Sequence, residues 1–142
     1  DHARMNKPGQ AFYTVLADGD DTNDPVVDAA RAILDGHIVL SRQQSLLGIY
    51  PAVDVPNSIS RVMNEITDGK QQKAAIDFKK NISLYLDNRD LLLMGGYSEG
   101  QDEDLDRAIS MWPDLVNHIS QKDDVGANYS DSKSALIKLL GE

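Results

Sequence analysis

The sequence predicts a mainly helical chain in which an α/β segment over residues 1–65 precedes an all-α domain over residues 66–142. Two short apolar runs rich in β-forming residues, 11–16 and 37–40, are typical of strands buried on both faces, as in a parallel sheet. Beyond Asp68 the apolar residues recur every three or four positions, which indicates amphipathic helices. These observations favour the last strands of a parallel sheet followed by a helical domain.

Capping chemistry predicts the first loop and the first helix. Residues 18–25 contain four Asp, one Gly, one Asn and one Pro, a composition typical of a loop. Asp24 is a suitable N-cap, and Pro25 fits the first helical position. The apolar spacing that follows predicts a helix over residues 26–34, with Gly36 as its candidate C-cap.

The chain between the second strand and the helical domain is predicted to be short and irregular. Residues 41–48 form a short helix or turn, and residues 49–56 are extended because two prolines restrict the backbone. Two strands cannot cover both faces of a parallel sheet. We therefore expect the remaining strands of the sheet to precede residue 1.

Three helices are predicted in the second half of the chain. The first covers residues 71–94 and is stopped by Gly95-Gly96. An acidic loop over residues 99–104 leads into the second helix, where Pro113 marks a kink or a restart, and the last helix covers residues 130–140. The side chains expected to face the core are Ala75, Phe78, Ile82, Tyr85, Leu86, Leu93, Leu115, Ile119, Ala135, Leu136 and Leu139.

Composition and motifs exclude several functions. A formal net charge of -9 disfavours nucleic acid and anionic membrane surfaces as partners, and the absence of cysteine excludes thiolate chemistry. The sequence contains neither a G-x-x-x-x-G-K-[ST] phosphate loop nor a G-x-G-x-x-G motif. Its histidines are too scattered for a metal site, and the Asp-rich loop lacks calcium-loop spacing. We expect His37 to be a satisfied near-core histidine, and Asp35 to be a cap or a buried hydrogen-bond partner.

Several runs of the sequence match the pattern of one known family. The most specific run is DGHIVLSR, at residues 35–42. The other matching runs are AFYTVL at 11–16, GDD at 19–21, DP at 24–25, YPAVD at 50–54, SISR at 58–61, NRDL at 88–91 and GY at 96–97. Together they resemble the C-terminal third of the type III export ATPases, which are relatives of the catalytic β subunit of rotary ATP synthases. Phe12 and the Asp-Pro pair favour the flagellar branch of that family.

The resemblance implies a homohexameric P-loop ATPase that binds ATP or ADP with Mg²⁺ between subunits. Residues 1–65 would then be the C-terminal end of the nucleotide-binding α/β domain, and residues 66–142 the C-terminal helical domain. The phosphate loop, the Mg²⁺-binding acid and the water-activating Glu would lie upstream of this chain. We therefore expect the chain alone to be inactive.

Two residues are implied to touch the nucleotide. By resemblance, Arg61 acts as an arginine finger that stabilises charge on the phosphoryl group bound by the neighbouring subunit. The alternative is a surface arginine. Tyr50 is implied to stack on adenine, although Ile49 replaces the His found in several relatives, and the alternative is a half-buried core tyrosine. The far wall of the adenine pocket is expected near residues 119–122.

Two acidic loops are implied to contact a central coiled-coil stalk. The residues concerned are Asp20, Asn23 and Asp24 in the first loop, and Glu99, Asp102, Glu103 and Asp104 in the second. A cluster of carboxylates complements a basic partner and speeds the encounter with it. The alternatives are a solvated loop with an N-cap at Asp24, and a solvated helix N-terminus that gains only dipole stabilisation.

The implied function is ATP hydrolysis coupled to flagellar protein export, in the cytoplasm and peripheral to the inner membrane. The implied partners are further copies of the chain, the central stalk, a regulatory peripheral-stalk protein, the export gate and chaperone–substrate complexes, but no nucleic acid. Within the family, the alternatives are a virulence secretion ATPase or a rotary ATP synthase β subunit. Outside it, a non-catalytic module that binds a stalk or a chaperone stays open.

Overall fold

The fold is described from a computed structural model, which covers residues 12–16 and 24–140. The chain divides into two compact units, one up to Leu34 and one from Asp35 onwards. Six helices and one small sheet make up the regular structure of the covered ranges, so the prediction of a mainly helical chain is confirmed. Within these ranges, no helix is both long enough and apolar enough to cross a membrane.

The first unit contains helix α1, Pro25–Ile33, which starts as predicted. The Asp24 carboxylate caps it by accepting the backbone N–H groups of Val26 and Val27, at 2.7 and 3.4 Å. Leu34 ends the helix in an extended conformation. The prediction that Gly36 is the C-cap is wrong, because the extended backbone at Leu34 has already ended the helix.

The predicted strand over residues 11–16 is not found. Residues 12–16 have no regular secondary structure and are exposed, and residue 11 lies outside the described residues. An extended segment becomes a strand only when its N–H and C=O groups pair with a neighbouring strand. The ladder pairings of the described residues do not involve residues 12–16.

The second unit begins with a two-stranded sheet, β1 Gly36–His37 and β2 Ile59–Ser60. The strands are antiparallel, with Gly36 opposite Ser60, and Leu40 forms a separate antiparallel bridge to Val53. The predicted strand at 37–40 is therefore shorter than expected and not parallel, because its partner is the segment that folds back after α2. A Cβ at Gly36 would lie 2.7 Å from the Ile59 carbonyl oxygen, which explains why glycine occupies this position.

Two short helices flank residues 47–62, the returning segment that folds back after α2 and contains β2. Helix α2, Arg42–Leu46, is capped by the Ser41 hydroxyl, in agreement with the predicted short helix. Gln44 of α2 and Ile49 just after the helix are both buried, so the turn that connects them is fixed at both ends. Helix α3, Met63–Ile66, precedes the helical part of the unit.

Three long helices, α4 Gly69–Leu93, α5 Glu103–Ile119 and α6 Tyr129–Leu140, form the core of the second unit. Helix α4 packs against both α5 and α6. The buried side chains of this core are Ala74, Phe78, Ile82, Leu115 and Leu140. The predicted stripe on α4 is confirmed at Phe78 and Ile82, and Tyr85 stacks on Trp112 with ring centroids 3.9 Å apart.

Two of the side chains that were predicted to face the core are exposed instead. Leu93 is 71% exposed, and Ala135 is also exposed. Helix α4 has 25 residues and α5 has 17, so at about 1.5 Å per residue α4 is some 12 Å longer than α5. Helix α5 runs through Pro113 without a restart, and Leu115, two residues later, is fully buried.

Candidate functional site

Tyr50 is one of the two candidate nucleotide-contacting residues, and hydrogen bonds hold it at two points. Its hydroxyl shares a hydrogen bond of 2.8 Å with the hydroxyl of Ser45 on α2. Its carbonyl oxygen accepts the backbone N–H of Gln121 at 2.8 Å. The side chain is nevertheless 55% exposed, so a large part of the ring is available to a flat ligand.

The segment after α5 lies next to Tyr50, where the far wall of the adenine pocket was expected. Gln121 provides the backbone contact to Tyr50, and its side-chain amide donates to the carbonyl of Val125. An open cleft of about 450 Å³ borders this segment. The residues that line the cleft are His118, Ile119, Ser120, Gln121, Lys122, Val125, Ala127 and Ser132.

Arg61 follows directly after β2 and is exposed. Its backbone N–H donates to the carbonyl oxygen of Asp35 at 2.8 Å, so the position of its main chain is fixed by the residue before β1. Asp35 was expected to be a cap or a buried hydrogen-bond partner; it is exposed, so the second of these alternatives is wrong. His37 is half-buried, and its Nε2 lies 3.1 Å from the carbonyl oxygen of Asn57, in line with a satisfied histidine.

Ser58 connects the Ser-x-Ser-Arg run to the rest of the unit. Its hydroxyl donates to the carbonyl of Asp54 at 2.6 Å and accepts the backbone N–H of Val39 at 3.0 Å. Its carbonyl accepts Lys79 Nζ of α4 at 2.5 Å. The run that carries Arg61 is therefore attached to both the returning segment and the longest helix.

Two carboxylates of the second acidic loop, those of Asp102 and Asp104, already bind groups within the chain. Asp102 caps α5 by accepting the N–H groups of Asp104 and Leu105, at 2.9 and 3.1 Å. Asp104 forms an exposed ion pair with Lys80 at 2.7 Å. Glu99 and Glu103 are exposed. Of the first acidic loop, Asp20 and Asn23 lie outside the described residues, and Asp24 is the cap of α1.

Tyr97 and Asp106 shape the second acidic loop, although in the sequence Tyr97 is only part of a matching run and Asp106 has no assigned role. The Tyr97 hydroxyl donates to Asp106 Oδ1 at 2.6 Å, and the Gly100 N–H donates to Asp106 Oδ2 at 2.7 Å. Desolvation, together with the Asp106 carboxylate, raises the pKa of Tyr97. Asp106 is one of three acids in the first turn of α5, and its hydrogen bonds with Tyr97 and Gly100 set it apart from the other two.

The described residues contain no group of three or more His, Cys, Asp or Glu arranged to hold a metal ion. The two candidate contacts to a nucleotide, the aromatic ring of Tyr50 and the guanidinium of Arg61, both belong to exposed residues.

Two known families match different ranges of the chain. Residues 67–138 match the family described as the T3SS EscN ATPase C-terminal domain. Residues 6–60 match the nucleotide-binding domain of the ATP synthase alpha/beta family. The chain belongs to the type III secretion ATPase family. The resemblance seen in the sequence is thereby confirmed, together with the relationship to the rotary ATP synthases.

Curated relatives of this type III secretion ATPase chain include both branches of the family. It is 47% identical over 130 residues to the flagellum-specific ATP synthase of Buchnera aphidicola subsp. Acyrthosiphon pisum, covering 92% of the chain and 28% of the relative. It is 42% identical over 114 residues to the SPI-2 type 3 secretion system ATPase of Salmonella typhimurium, covering 80% of the chain and 26% of the relative. The chain thus spans between a quarter and a third of the length of these relatives.

Solved structures agree with this membership. The type III secretion ATPase chain resembles the assembled ATPase EscN of enteropathogenic E. coli with a TM-score of 0.83 and 38% identity, over 89% of this chain and 31% of that one. It also resembles EscN in complex with its central stalk EscO, with a TM-score of 0.75 and 36% identity, over 81% of this chain and 28% of that one.

Proposed function

We propose that this chain is the C-terminal part of a homohexameric ATPase that couples ATP hydrolysis to flagellar type III protein export. The observation that carries the proposal is the 47% identity to a flagellum-specific ATP synthase across 92% of the chain. In this proposal, residues 1–65 end the nucleotide-binding domain and residues 66–142 form the helical domain. The two family matches support that division, because one ends at residue 60 and the other begins at residue 67.

Arg61 is proposed to be the arginine finger of the neighbouring subunit's site. Its exposure after β2 and the fixed main chain at Asp35 support this role, because a finger must project from a rigid base. A guanidinium is planar, always charged and carries five donors, which suits charge developing on a transferring phosphoryl group.

The test is ATP turnover by the full-length hexamer carrying Arg61→Ala. We expect turnover to fall by about 10³-fold or more while nucleotide binding persists. Arg61→Lys should also be strongly impaired, because lysine retains the charge but not the planar donor set. Arg107→Ala, at an exposed position on α5, is the matched control and should turn over normally. Normal turnover by Arg61→Ala would remove this residue from the mechanism.

Tyr50 is proposed to stack on the adenine of ATP or ADP. Its half-exposed ring and its doubly fixed position support this role. In this proposal, the upstream part of the whole protein binds Mg²⁺ and makes most of the phosphate contacts, as the family resemblance implies.

The two acidic loops are proposed to contact a central stalk, and the similarity to EscN in complex with its central stalk EscO supports this partner. Glu99 and Glu103 are better placed than Asp102 and Asp104, because the latter two carboxylates already bind groups within the chain. A regulatory peripheral-stalk protein, the export gate and chaperone–substrate complexes complete the proposed set of partners. Such an assembly would work in the cytoplasm, peripheral to the inner membrane.

A virulence secretion ATPase is the second candidate, favoured by the 42% identity to the SPI-2 ATPase. Complementation separates the two functions. A strain that lacks its flagellar export ATPase should regain motility when it expresses the full-length protein, whereas restoration of virulence secretion alone would favour the second candidate.

A further inference from the structure

Ser45 and Tyr50 form a contact that no motif of the chain predicts. The two hydroxyl oxygens lie 2.8 Å apart, which is an ordinary O–H···O hydrogen bond. The two residues are five positions apart and belong to different local structures, because Ser45 lies in α2 and Tyr50 in the extended segment after it.

Ser45 stands on a rigid base. The Ser41 hydroxyl caps α2 by accepting the N–H of Gln43 at 3.2 Å. Gln44 and Ile49, which flank the turn between the two partners, are 5% and 2% exposed. The Ile49 N–H donates to the Gln44 carbonyl at 3.1 Å and closes the turn. The main chain at Ser45 therefore has little freedom to move away from Tyr50.

The main chain of Tyr50 is held independently of its ring. The Gln121 N–H donates to the Tyr50 carbonyl at 2.8 Å, and the neighbouring Val53 N–H donates to the Pro51 carbonyl at 2.8 Å. These bonds fix the Cα of Tyr50 but leave rotation about the side-chain bonds open. Among the hydrogen bonds of residues 12–16 and 24–140, the bond to Ser45 is the one at the far end of the ring, where it restricts that rotation.

We propose that Ser45 is a positioning residue for nucleobase binding, which holds the Tyr50 ring in the orientation that stacks on the base. The proposal rests on the proposed function of Tyr50. An aromatic ring gains most from a flat partner when it is already oriented, because the entropy of ordering it is not then lost on binding. Ser45 does not touch the nucleotide in this arrangement and acts only through Tyr50.

The test is a double-mutant cycle in the full-length protein, with ATP and inorganic tripolyphosphate as probes. Ser45→Ala should weaken ATP binding by about three- to tenfold, the range typical of one lost hydrogen bond. Tyr50→Phe removes the same bond but keeps the ring, so we expect a similar loss. The double variant should bind ATP no more weakly than either single variant, because both substitutions delete one interaction.

Tripolyphosphate separates positioning from a general structural effect. It carries no base, so its dissociation constant should be the same in the wild type and in all three variants. Ser134→Ala, on the exposed face of α6, is the matched control and should bind both probes as the wild type does. Thermal unfolding of each variant verifies that the fold is intact.

The outcomes distinguish this proposal from the function on which it rests. If Tyr50→Ala leaves ATP binding unchanged, stacking by Tyr50 is wrong, and the role of Ser45 falls with it. If Tyr50→Ala weakens ATP binding but Ser45→Ala does not, stacking stands and the positioning role is overturned. Equal weakening of ATP and tripolyphosphate binding by Ser45→Ala would also overturn it.

Discussion

At the scale of single residues, a carboxylate that caps a helix is less available to bind a partner protein. Asp102 accepts two backbone N–H groups at the start of α5, and Asp24 does the same at the start of α1. A carboxylate in this position is stabilised by the helix dipole and has fewer lone pairs for an external partner. Glu99 and Glu103 carry no such hydrogen bond among those described, and so they are the stronger candidates for contact with a partner.

His118 predicts a pH dependence of stability. It packs edge-on against Phe78, with ring centroids 5.5 Å apart, and burial lowers its pKa below the ordinary value of 6.5. The unfolded chain therefore binds a proton at higher pH than the folded chain does, so stability is lost as pH falls below about 6.5. His118→Gln should remove this part of the decline in urea unfolding between about pH 7 and 5.

The control is Asn117→Gln, at an exposed neighbouring position on α5, which should keep the wild-type dependence on pH. Identical pH profiles for the wild type and His118→Gln would show that burial of this imidazole does not matter to folding.

Gly36 predicts a steric limit at the sheet. A Cβ would lie 2.7 Å from the backbone oxygen of Ile59, and a backbone atom cannot move aside as a side chain does. Gly36→Ala should destabilise the chain by about 1–3 kcal/mol. Gly69→Ala, where a Cβ meets nothing within 4 Å, should be neutral or stabilising by up to about 1 kcal/mol. Equal unfolding free energies for the two variants would contradict the steric explanation.

At the scale of elements, α4 organises the helical part, because it alone packs extensively against both α5 and α6. Its N-terminus is tied to α6 by the Lys133–Asp68 ion pair, at 2.6 Å, and by the Tyr129 hydroxyl, which donates to Gln71 at 3.0 Å. Its last turn extends beyond these contacts. Stability should therefore be concentrated in the first five turns of α4, which end near Leu86.

Two leucine substitutions test that distribution. Leu115 is 0% exposed in the core, whereas Leu93 in the last turn of α4 is 71% exposed. Leu115→Ala should reduce the free energy of unfolding by about 2–5 kcal/mol, from lost burial and the cavity that remains. Leu93→Ala removes the same atoms from a surface position and should change it by no more than about 0.5 kcal/mol. A large effect at Leu93 would indicate packing that this fold does not contain.

The start of a helix can be predicted when its capping side chain binds backbone groups only two or three residues away. Asp24-Pro25 and Asp102 mark helix starts by side-chain groups within three residues of the bonds they make. The strands were not predictable in the same way, because their pairing depends on residues far along the chain. Gly36 illustrates the ambiguity, since glycine is used both to end helices and to allow close approach of two backbones.

The candidate site was predictable only as far as family resemblance reached. Tyr50 and Arg61 belong to matching runs, whereas Ser45 and the Gln121 main chain reach Tyr50 through turns that have no periodicity. In the sequence, Asp106 cannot be distinguished from the other acids in the first turn of α5. Its hydrogen bond with Tyr97 depends on the path of the loop between the two residues.

At the scale of the whole molecule, the net charge of -9 predicts salt-dependent association with a basic coiled coil. Glu99→Gln with Glu103→Gln should slow association with the stalk protein, and the slowing should diminish as ionic strength rises. Asp123→Asn with Asp124→Asn changes the net charge equally at the link between α5 and α6, and it serves as the control. Equal effects of both pairs on the association rate would indicate a non-specific charge effect and not a defined contact.

A second prediction at this scale concerns catalysis by the chain itself. The sequence lacks a phosphate loop, and the described residues lack a metal cluster. We therefore expect ATP hydrolysis by the isolated 142-residue chain to equal the buffer background in a phosphate-release assay. Magnesium-dependent hydrolysis above that background, in a preparation free of other ATPases, would contradict the assignment of the phosphate site to the upstream region.

The hydrogen bond from Gln121 N–H to the Tyr50 carbonyl has a genetic consequence. It joins two peptide groups, so any residue at 121 except proline preserves it. Alanine scanning at position 121 would remove only the side-chain bond to Val125 and would not report on the main-chain link to Tyr50, even if that link is essential. An amide-to-ester replacement at that peptide, introduced by semisynthesis, would remove the donor alone and expose a mechanical connection hidden from ordinary mutagenesis.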